Sequence, residues 1–292
     1  MKKSNLFAFF SVLALLTFNN SKCLAQFGGC DYESDNFRSF LFTKMLVVLD
    51  GPPKYDEALK QAINEYWKIT PFQFIELSQV KYWIENERYS FMMPITIEEI
   101  RNNDIATYTK KFNYLAVFVG GKNSLKKYSH NDLIAYAPYD FDHLEKERGE
   151  STYRLGLMIK SMHDAITIIQ REKMTGNYEQ LQESLIDHYN KKASTLAKKT
   201  LLVNMDYFSS KFNKFDFSHS YPFKFEITDS KTISQFIHEK NLHYLYMGLA
   251  YTNEKYLFIY NLYSGEIIYA SYKVVGEVFN KKEVKNMAKK AG

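Results

Sequence analysis

Hydrophobic positions along the chain fall into two spacings, and their order predicts the fold. From Lys44, KMLVVLD is an unbroken apolar run of strand length. In PPKYDEALKQAINEYW, which follows, Ala58, Leu59, Ala62, Ile63, Tyr66 and Trp67 recur at three and four, the period of a helix with one apolar face. Pro52 and Pro53 punctuate the turn, and Asp56 and Glu57 suit a first helical turn. Thr70-Pro71 predicts the helix end, because the residue before proline avoids helical dihedrals. FQFIE is then a strand, SQVKYWIENE a helix capped by Ser78, and RYSFMMPIT a third strand. After a polar stretch, NYLAVFVGG and DLIAYAPY predict an antiparallel hairpin around GGKNSLKKYSHN.

The same order returns from Lys199. KTLLVNMD matches the first strand, YPFKFEIT the second, SKTISQFIHEKN the helix after it and LHYLYMGLAY the third strand. KYLFIYNLYSGEIIYASY closes with a hairpin turning at Ser264-Gly265. The spacing stays between 151 and 155 residues from Lys44/Lys199 through Pro71/Pro222 to Phe91/Leu245, the signature of an internal duplication. In the second copy YFSSKFNKFDFSHS stands where the first helix should be and has no clean helical stripe, so that helix is expected to be lost. Between the copies, STYRLGLMIKSMHDAITIIQREK places Leu155, Met158, Met162, Ala165, Ile166 and Ile169 on one face, predicting a long helix packed on a sheet. The polar segment NYEQLQESLIDHYNKKASTLAKK reads as a helical link.

The expected fold is therefore α/β (α+β): two tandem related β-α-β-α-β-β units with mixed sheets, joined by long helices. The boundaries expected are a signal peptide over 1–25, an amino-terminal segment 26–43, a first unit 44–175, a helical linker 176–198 and a second unit 199–292.

The first residues add a destination. Met1-Lys2-Lys3, the apolar run Leu6 to Phe18 and the Ala25-Gln26 junction are the parts of a secretory signal, with cleavage after Ala25. The apolar run is shorter than the roughly 20 residues of a spanning helix. Phe27-Gly28-Gly29-Cys30 offers an alternative, lipidation of Cys30, and membrane association is expected only in that case. Cleavage after Ala25 leaves 267 residues with Cys30 as the one cysteine, so no internal disulfide forms.

Charge narrows the partners. Without Lys2, Lys3 and Lys22 there are 35 basic and 33 acidic residues, which is no footprint for nucleic acid. The basic cluster Lys281, Lys282, Lys285, Lys289 and Lys290 suits the carboxyl end of a solvated last helix.

No stretch completes a catalytic or metal motif. In HEKNLH, His238 and His243 are five apart, whereas the zinc-protease spacing is four. Gly120-Gly121-Lys122-Asn123-Ser124 has no helix behind it to hold a phosphate. Ser161, His163 and Asp164 are the residue types of a triad but are neighbours on one helix, where base and nucleophile cannot meet. The remaining weak candidates are Asp140, Asp142 and His143, in a loop where Asp and His two or three apart can approach a divalent cation. The aromatic load, 23 Tyr, 23 Phe and 2 Trp, lies mostly at strand positions, where packing uses it.

The K-x-L-x-V strand, the P-F-x-F strand and the hairpin resemble an uncharacterised group of secreted two-lobed α/β proteins typical of Bacteroidota. More distantly, the β-α-β-α-β order is similar to the amino-terminal domain of TolB and to curli secretion-channel subunits. The resemblance implies export and a two-lobed fold, and implies no activity. The expectation is an exported, periplasmic or secreted envelope protein that binds a protein or peptide partner through an inter-lobe cleft or a sheet edge, without a cofactor. The alternative is an exported hydrolase whose site assembles from residues distant in sequence.

Overall fold

The computed structural model describes residues 30–102, 107–121, 132–138, 152–209, 211–251, 255–273 and 280–292. The signal segment and Asp140, Asp142 and His143 lie outside the described residues.

The first unit opens with helix α1 (Asp35–Phe40), capped by Ser34, and strand β1 (Lys44–Leu49), buried along nearly its whole length. Helix α2 (Pro53–Tyr66) and strand β2 (Phe72–Glu76) follow, then the short helix α3 (Val80–Trp83) and strands β3 (Tyr89–Asn102), β4 (Thr107–Val119) and β5 (Leu133–Pro138). They form a five-stranded sheet in the order β2-β1-β3-β4-β5, with β1 parallel to β2 and β3 and the last two pairings antiparallel.

Helices α4 (Thr152–Glu172) and α5 (Tyr178–Asn190) lead to the second unit. Its elements are β6 (Thr200–Asn204), α6 (Lys214–Ser220), β7 (Phe225–Thr228), α7 (Ser230–His238), β8 (Tyr244–Tyr251), β9 (Lys255–Asn261) and β10 (Ile267–Lys273), with a last helix α8 (Lys281–Ala291). The sheet order β10-β9-β8-β6-β7 is that of the first unit, strand for strand, and the parallel and antiparallel pairings agree as well.

The likeness reaches individual rungs. Val47 pairs with Met92 at the end of the β1–β3 ladder, and Val203 with Met247 at the end of β6–β8. Phe91 and Phe118, opposite each other on β3 and β4, stack at 5.7 Å; Tyr246 and Tyr260, at the matching positions of β8 and β9, stack at 6.1 Å. One rung further, both sheets break register. Phe118 faces Leu133 while Val117 faces Ala135, and Tyr260 faces Ile267 while Ile259 faces Tyr269. A bulge re-aims every residue beyond it, and bulges persist within families. Two sheets bulged at one rung are two versions of one unit.

The ladders also correct the sequence alignment. Lys44 stands opposite Tyr89 and Thr200 opposite Tyr244, so Lys44 corresponds to Thr200, not Lys199. Phe72 and Phe225 occupy the same rung, which moves the partner of Pro71 to Lys224, two residues from Pro222, and Phe91 corresponds to Tyr246, not Leu245. The shared K-x-L-x-V and P-F-x-F strings are thus out of register, although the topology they suggested is right.

Other expectations change in detail. The first helix of the second copy is shortened, not lost: Asn213 caps α6, which buries Phe217. The turn before α3 is capped by Glu76 with Gln79 in place of Ser78, and α2 ends at Tyr66, short of Thr70. The polar stretch after Thr96 continues as strand, with the β3–β4 ladder running from Ile97 opposite Phe112 to Asn102 opposite Thr107. Helix α5 is more than a link, since it buries Leu181, Gln182, Leu185 and Tyr189. The Asn190 side chain both donates to and accepts from the Ala270 backbone, which blocks the outer edge of β10.

One hydrophobic cluster joins the first sheet, α2, α4 and one face of the second sheet through Leu202, Tyr246, Phe258 and Tyr260. A second cluster covers the other face of that sheet, where Leu201, Val203, Met247 and Ile259 meet Phe217 of α6 and Val284 and Met287 of α8. Beside it Glu283 is buried, with Lys255 Nζ at 2.5 Å and Lys273 Nζ at 2.8 Å. Burial is the main influence pushing the Lys255 ammonium below its ordinary pKa; Glu283 opposes it. Removing one member of such a set leaves a charge unpaired in the interior. Glu283→Ala is therefore expected to lower stability by about 3–5 kcal/mol in urea denaturation. The apolar replacement Lys255→Met with Glu283→Leu should recover much of that loss.

Candidate functional site

A concavity lies where the two units meet. Helix α2 supplies Ala58, Gln61, Ala62, Glu65 and Tyr66, α4 supplies Gly156, and the end of α7 supplies Ile237, His238 and Lys240, around a cleft of about 470 Å³. Two sequence features place these groups. The period of three and four in α2 brings Ala58, Ala62 and Glu65 to one side. Lys240 terminates α7 in the left-handed conformation, with φ of 47°, which swings its side chain across to the first unit.

Lys240 Nζ reaches Glu65 Oε1 at 2.5 Å and lies 6.0 Å from the centre of the Tyr66 ring. Burial alone would raise the Glu65 pKa, but the hydrogen bonds of Lys240 and Tyr66 and the charge of Lys240 hold it below the ordinary value. Burial pushes the Tyr66 phenol well up, aided by Glu65. The small residues Ala58, Ala62 and Gly156 leave the floor shallow, and the charged rim suits a polar backbone more than an apolar body.

Among the described residues that line the cleft, Glu65 is the carboxylate, and it is paired with Lys240. Ser161, His163 and Asp164 behave as their spacing requires: Ser161 is buried and its Oγ donates to Leu157 O at 2.7 Å, one turn back, while Asp164 pairs with Lys160 and His163. His238 ends α7 and His243 sits in the turn before β8, and no group of three or more metal-ligating side chains occurs among the described residues. The amide of Gly120 donates to Tyr89 O and that of Gly121 to Ile84 O, both at 2.8 Å, so neither is free for a phosphate. A Cβ at Gly120 would lie 2.7 Å from Asn86 O, so the glycine serves close packing beneath α3.

Cys30 is buried, with Sγ 2.8 Å from Ser34 Oγ, and burial pushes its thiol pKa up. None of the cleft residues was singled out by sequence as a site. Tyr66 was read as part of an apolar stripe, and no local pattern links Glu65 to a lysine 175 residues away.

A second surface lies at the far side of the first unit. Strand β2 is an edge of its sheet, and Leu77, Tyr82 and Trp83 just beyond it are all substantially exposed. Trp83 packs edge-on against Tyr89 at 5.1 Å, and Lys81 Nζ lies 5.0 Å from the centre of the Tyr82 ring. Phe72 and Phe74, half-buried on the strand itself, extend the aromatic surface.

No protein-family model matches this chain, and neither any curated protein nor any solved structure is significantly similar to it.

Because the Glu65 pKa is depressed on folding, the stability it contributes is present above the unfolded value of about 4.3 and disappears as pH falls through the lower folded value. Thermal melts of the wild type and Glu65→Gln taken from pH 7 down to 3 should converge at the acid end, with the variant lower at pH 7. Equal melting points at pH 7 would show that the bridge between the units contributes nothing.

Proposed function

We propose that this is an exported protein of the cell envelope that acts by binding a protein or peptide partner, with the edge of β2 and the adjoining aromatic shelf as the contact surface. One observation carries the reading: an edge strand is followed within a few residues by three exposed large hydrophobic side chains. An edge strand presents unpaired backbone N–H and C=O groups, and an added peptide strand satisfies them while neighbouring pockets take its side chains. The edge of β10, by contrast, is engaged by the Asn190 side chain. Exposed aromatic residues are also the types that dominate binding energy at interfaces.

Kinship with the secreted two-lobed proteins that the chain resembles is part of the proposal, supported by the paired units. Delivery by the signal segment leaves Gln26 as the first residue. The burial of Cys30 Sγ supports a soluble form over a lipid-tethered one.

A photo-crosslinking residue placed at Tyr82, in cells fractionated after irradiation, should trap a discrete envelope partner. The same residue at exposed Tyr263, in the second unit, should not. Leu77→Asp with Tyr82→Asp should abolish the product without lowering the melting point. Equal trapping at both positions would overturn the surface. Hydrolytic turnover lost on replacing Asp140, Asp142 or His143 with alanine would move the reading to the exported hydrolase.

Amino-terminal sequencing should return Gln26, and Cys30→Ser should leave fractionation unchanged. A blocked Cys30, or release of the serine variant from membranes, would establish tethering in place of soluble export.

A further inference from the structure

Neither the cleft nor the β2 edge involves the lysines of α8. The exposed positions of that helix are Lys281, Lys282, Lys285, Asn286, Lys289 and Lys290, so all but one are lysine and none is acidic. At 100° per residue they fill one half of the circumference, and Glu283, Val284, Met287 and Ala291 are buried on the other. The helix dipole favours cations only in the last turn, where Lys289 and Lys290 sit. Lys281 and Lys282 occupy the first turn, at its positive end. Lys285 lies four residues from both Lys281 and Lys289, a spacing at which like charges destabilise a helix.

Little within the fold offsets this charge. Glu283, the one acid of the helix, turns inward to Lys255 and Lys273. Lys281 Nζ reaches Asp216 of α6 at 3.4 Å, and among the described residues no ion pair holds Lys282, Lys285, Lys289 or Lys290.

Packing leaves the face open. Helix α8 follows β10 as α4 follows β5, and it packs on α6 as α4 packs on α2. The second side of α4 is covered by the other unit, whereas the outer half of α8 stays exposed. On α6, Lys214 is exposed and Phe215 is 68% exposed, its ring centre 3.9 Å from that of His219. The Lys281–Asp216 contact ties this part of α6 to the lysine face.

We propose that α8 and the adjoining part of α6 dock the protein on an anionic lipid surface, the lysines against the headgroups and Phe215 entering the headgroup region. The five lysines are spaced over about 14 Å of helix axis, under two Debye lengths at physiological salt, so they act together on a charged plane. A lysine is a hydrated point charge on a flexible stem, which suits mobile headgroups. A fixed pattern of carboxylates on a protein partner is matched better by the planar fork of arginine, and α8 has none. An exposed aromatic ring at the border of a basic face is what the headgroup region accepts. Val284 and Met287 stay in the core, so the helix lies on the lipid without leaving the fold. Attachment of this kind is reversible and needs no lipid on Cys30.

Vesicle sedimentation of the chain from Gln26, carrying Cys30→Ser, tests this. It should sediment with vesicles rich in phosphatidylglycerol and not with phosphatidylcholine alone. Raising salt from about 0.1 M to about 1 M, which shortens the Debye length from about 10 Å to about 3 Å, should release it. Lys285→Gln with Lys289→Gln should weaken partitioning at least tenfold, since each lysine near a charged membrane contributes about fivefold. The melting point of that variant should be unchanged or higher, because repulsion along the helix is relieved. Phe215→Ser should weaken binding without changing its salt dependence. Lys54→Gln with Lys68→Gln, which removes two exposed lysines of the first unit, should leave binding unchanged. Equal partition onto both kinds of vesicle, equal loss in the two double variants, or no sedimentation would overturn the proposal. In the last case, retention on immobilised polyglutamate that is lost with Lys285→Gln and Lys289→Gln would assign the face to an acidic protein partner instead.

Discussion

The fold depends on one helix being buried over more than half its circumference. On α4, Leu155, Ile159, Met162, Ile166 and Ile169 form one buried stripe, and Leu157, Ser161, Ala165 and Ile168 continue it. At 100° per residue these positions sweep an arc of about 200°, roughly twice that of a helix lying on a single sheet. The helix therefore has two partners. Toward the first unit it packs on α2 and β5, and toward the second it meets α7 within the apolar cluster that also holds Tyr260. Neither unit completes its core without it, which is why one apolar cluster runs through both.

Much of this was legible in the sequence. Strands buried on both faces are apolar throughout, so parallel KMLVVLD and the antiparallel hairpin strands stand out alike. Strand order followed because the same succession of periods occurs twice. What failed was register. A strand repeats every two residues, so matching strings such as K-x-L-x-V can be aligned one residue off without any local penalty, although that slip exchanges the faces. Only the ladders, the stacked pairs Phe91–Phe118 and Tyr246–Tyr260 and the common bulge fix the true correspondence. Helix α6 was missed because its seven residues present Phe217 to the core without a repeated stripe. The carboxyl-terminal half of β3 was missed because its positions are charged, and charge says little until the facing strand is known.

The sites were less legible, for a different reason. The Glu65–Lys240 bridge joins positions that come together only after α7 has docked on α4, and the left-handed backbone at Lys240 that aims it is a property of helix termination. Residue types announce a site only when the chemistry demands several of them close together in sequence. The loop that came nearest to that, Asp140 to His143, lies outside the described residues.

The two units nevertheless differ in a way that bears on binding. Trp83 and Phe236 hold corresponding places, each leaving the helix between the second and third strands to pack on the tyrosine that begins the third, Tyr89 or Tyr244. In the second unit that helix has nine residues, buries Ile233 and turns Phe236 toward the shared core against α4. In the first it has four, buries none of them and leaves Tyr82 and Trp83 facing outward. The aromatic residues of the first copy are held by local contacts, Trp83 on Tyr89 and Lys81 over Tyr82, and keep much of their surface exposed, which is the basis of the proposed contact surface. The asymmetry thus follows from the packing: α4 can seat only one of the two equivalent helices, and the other is left available.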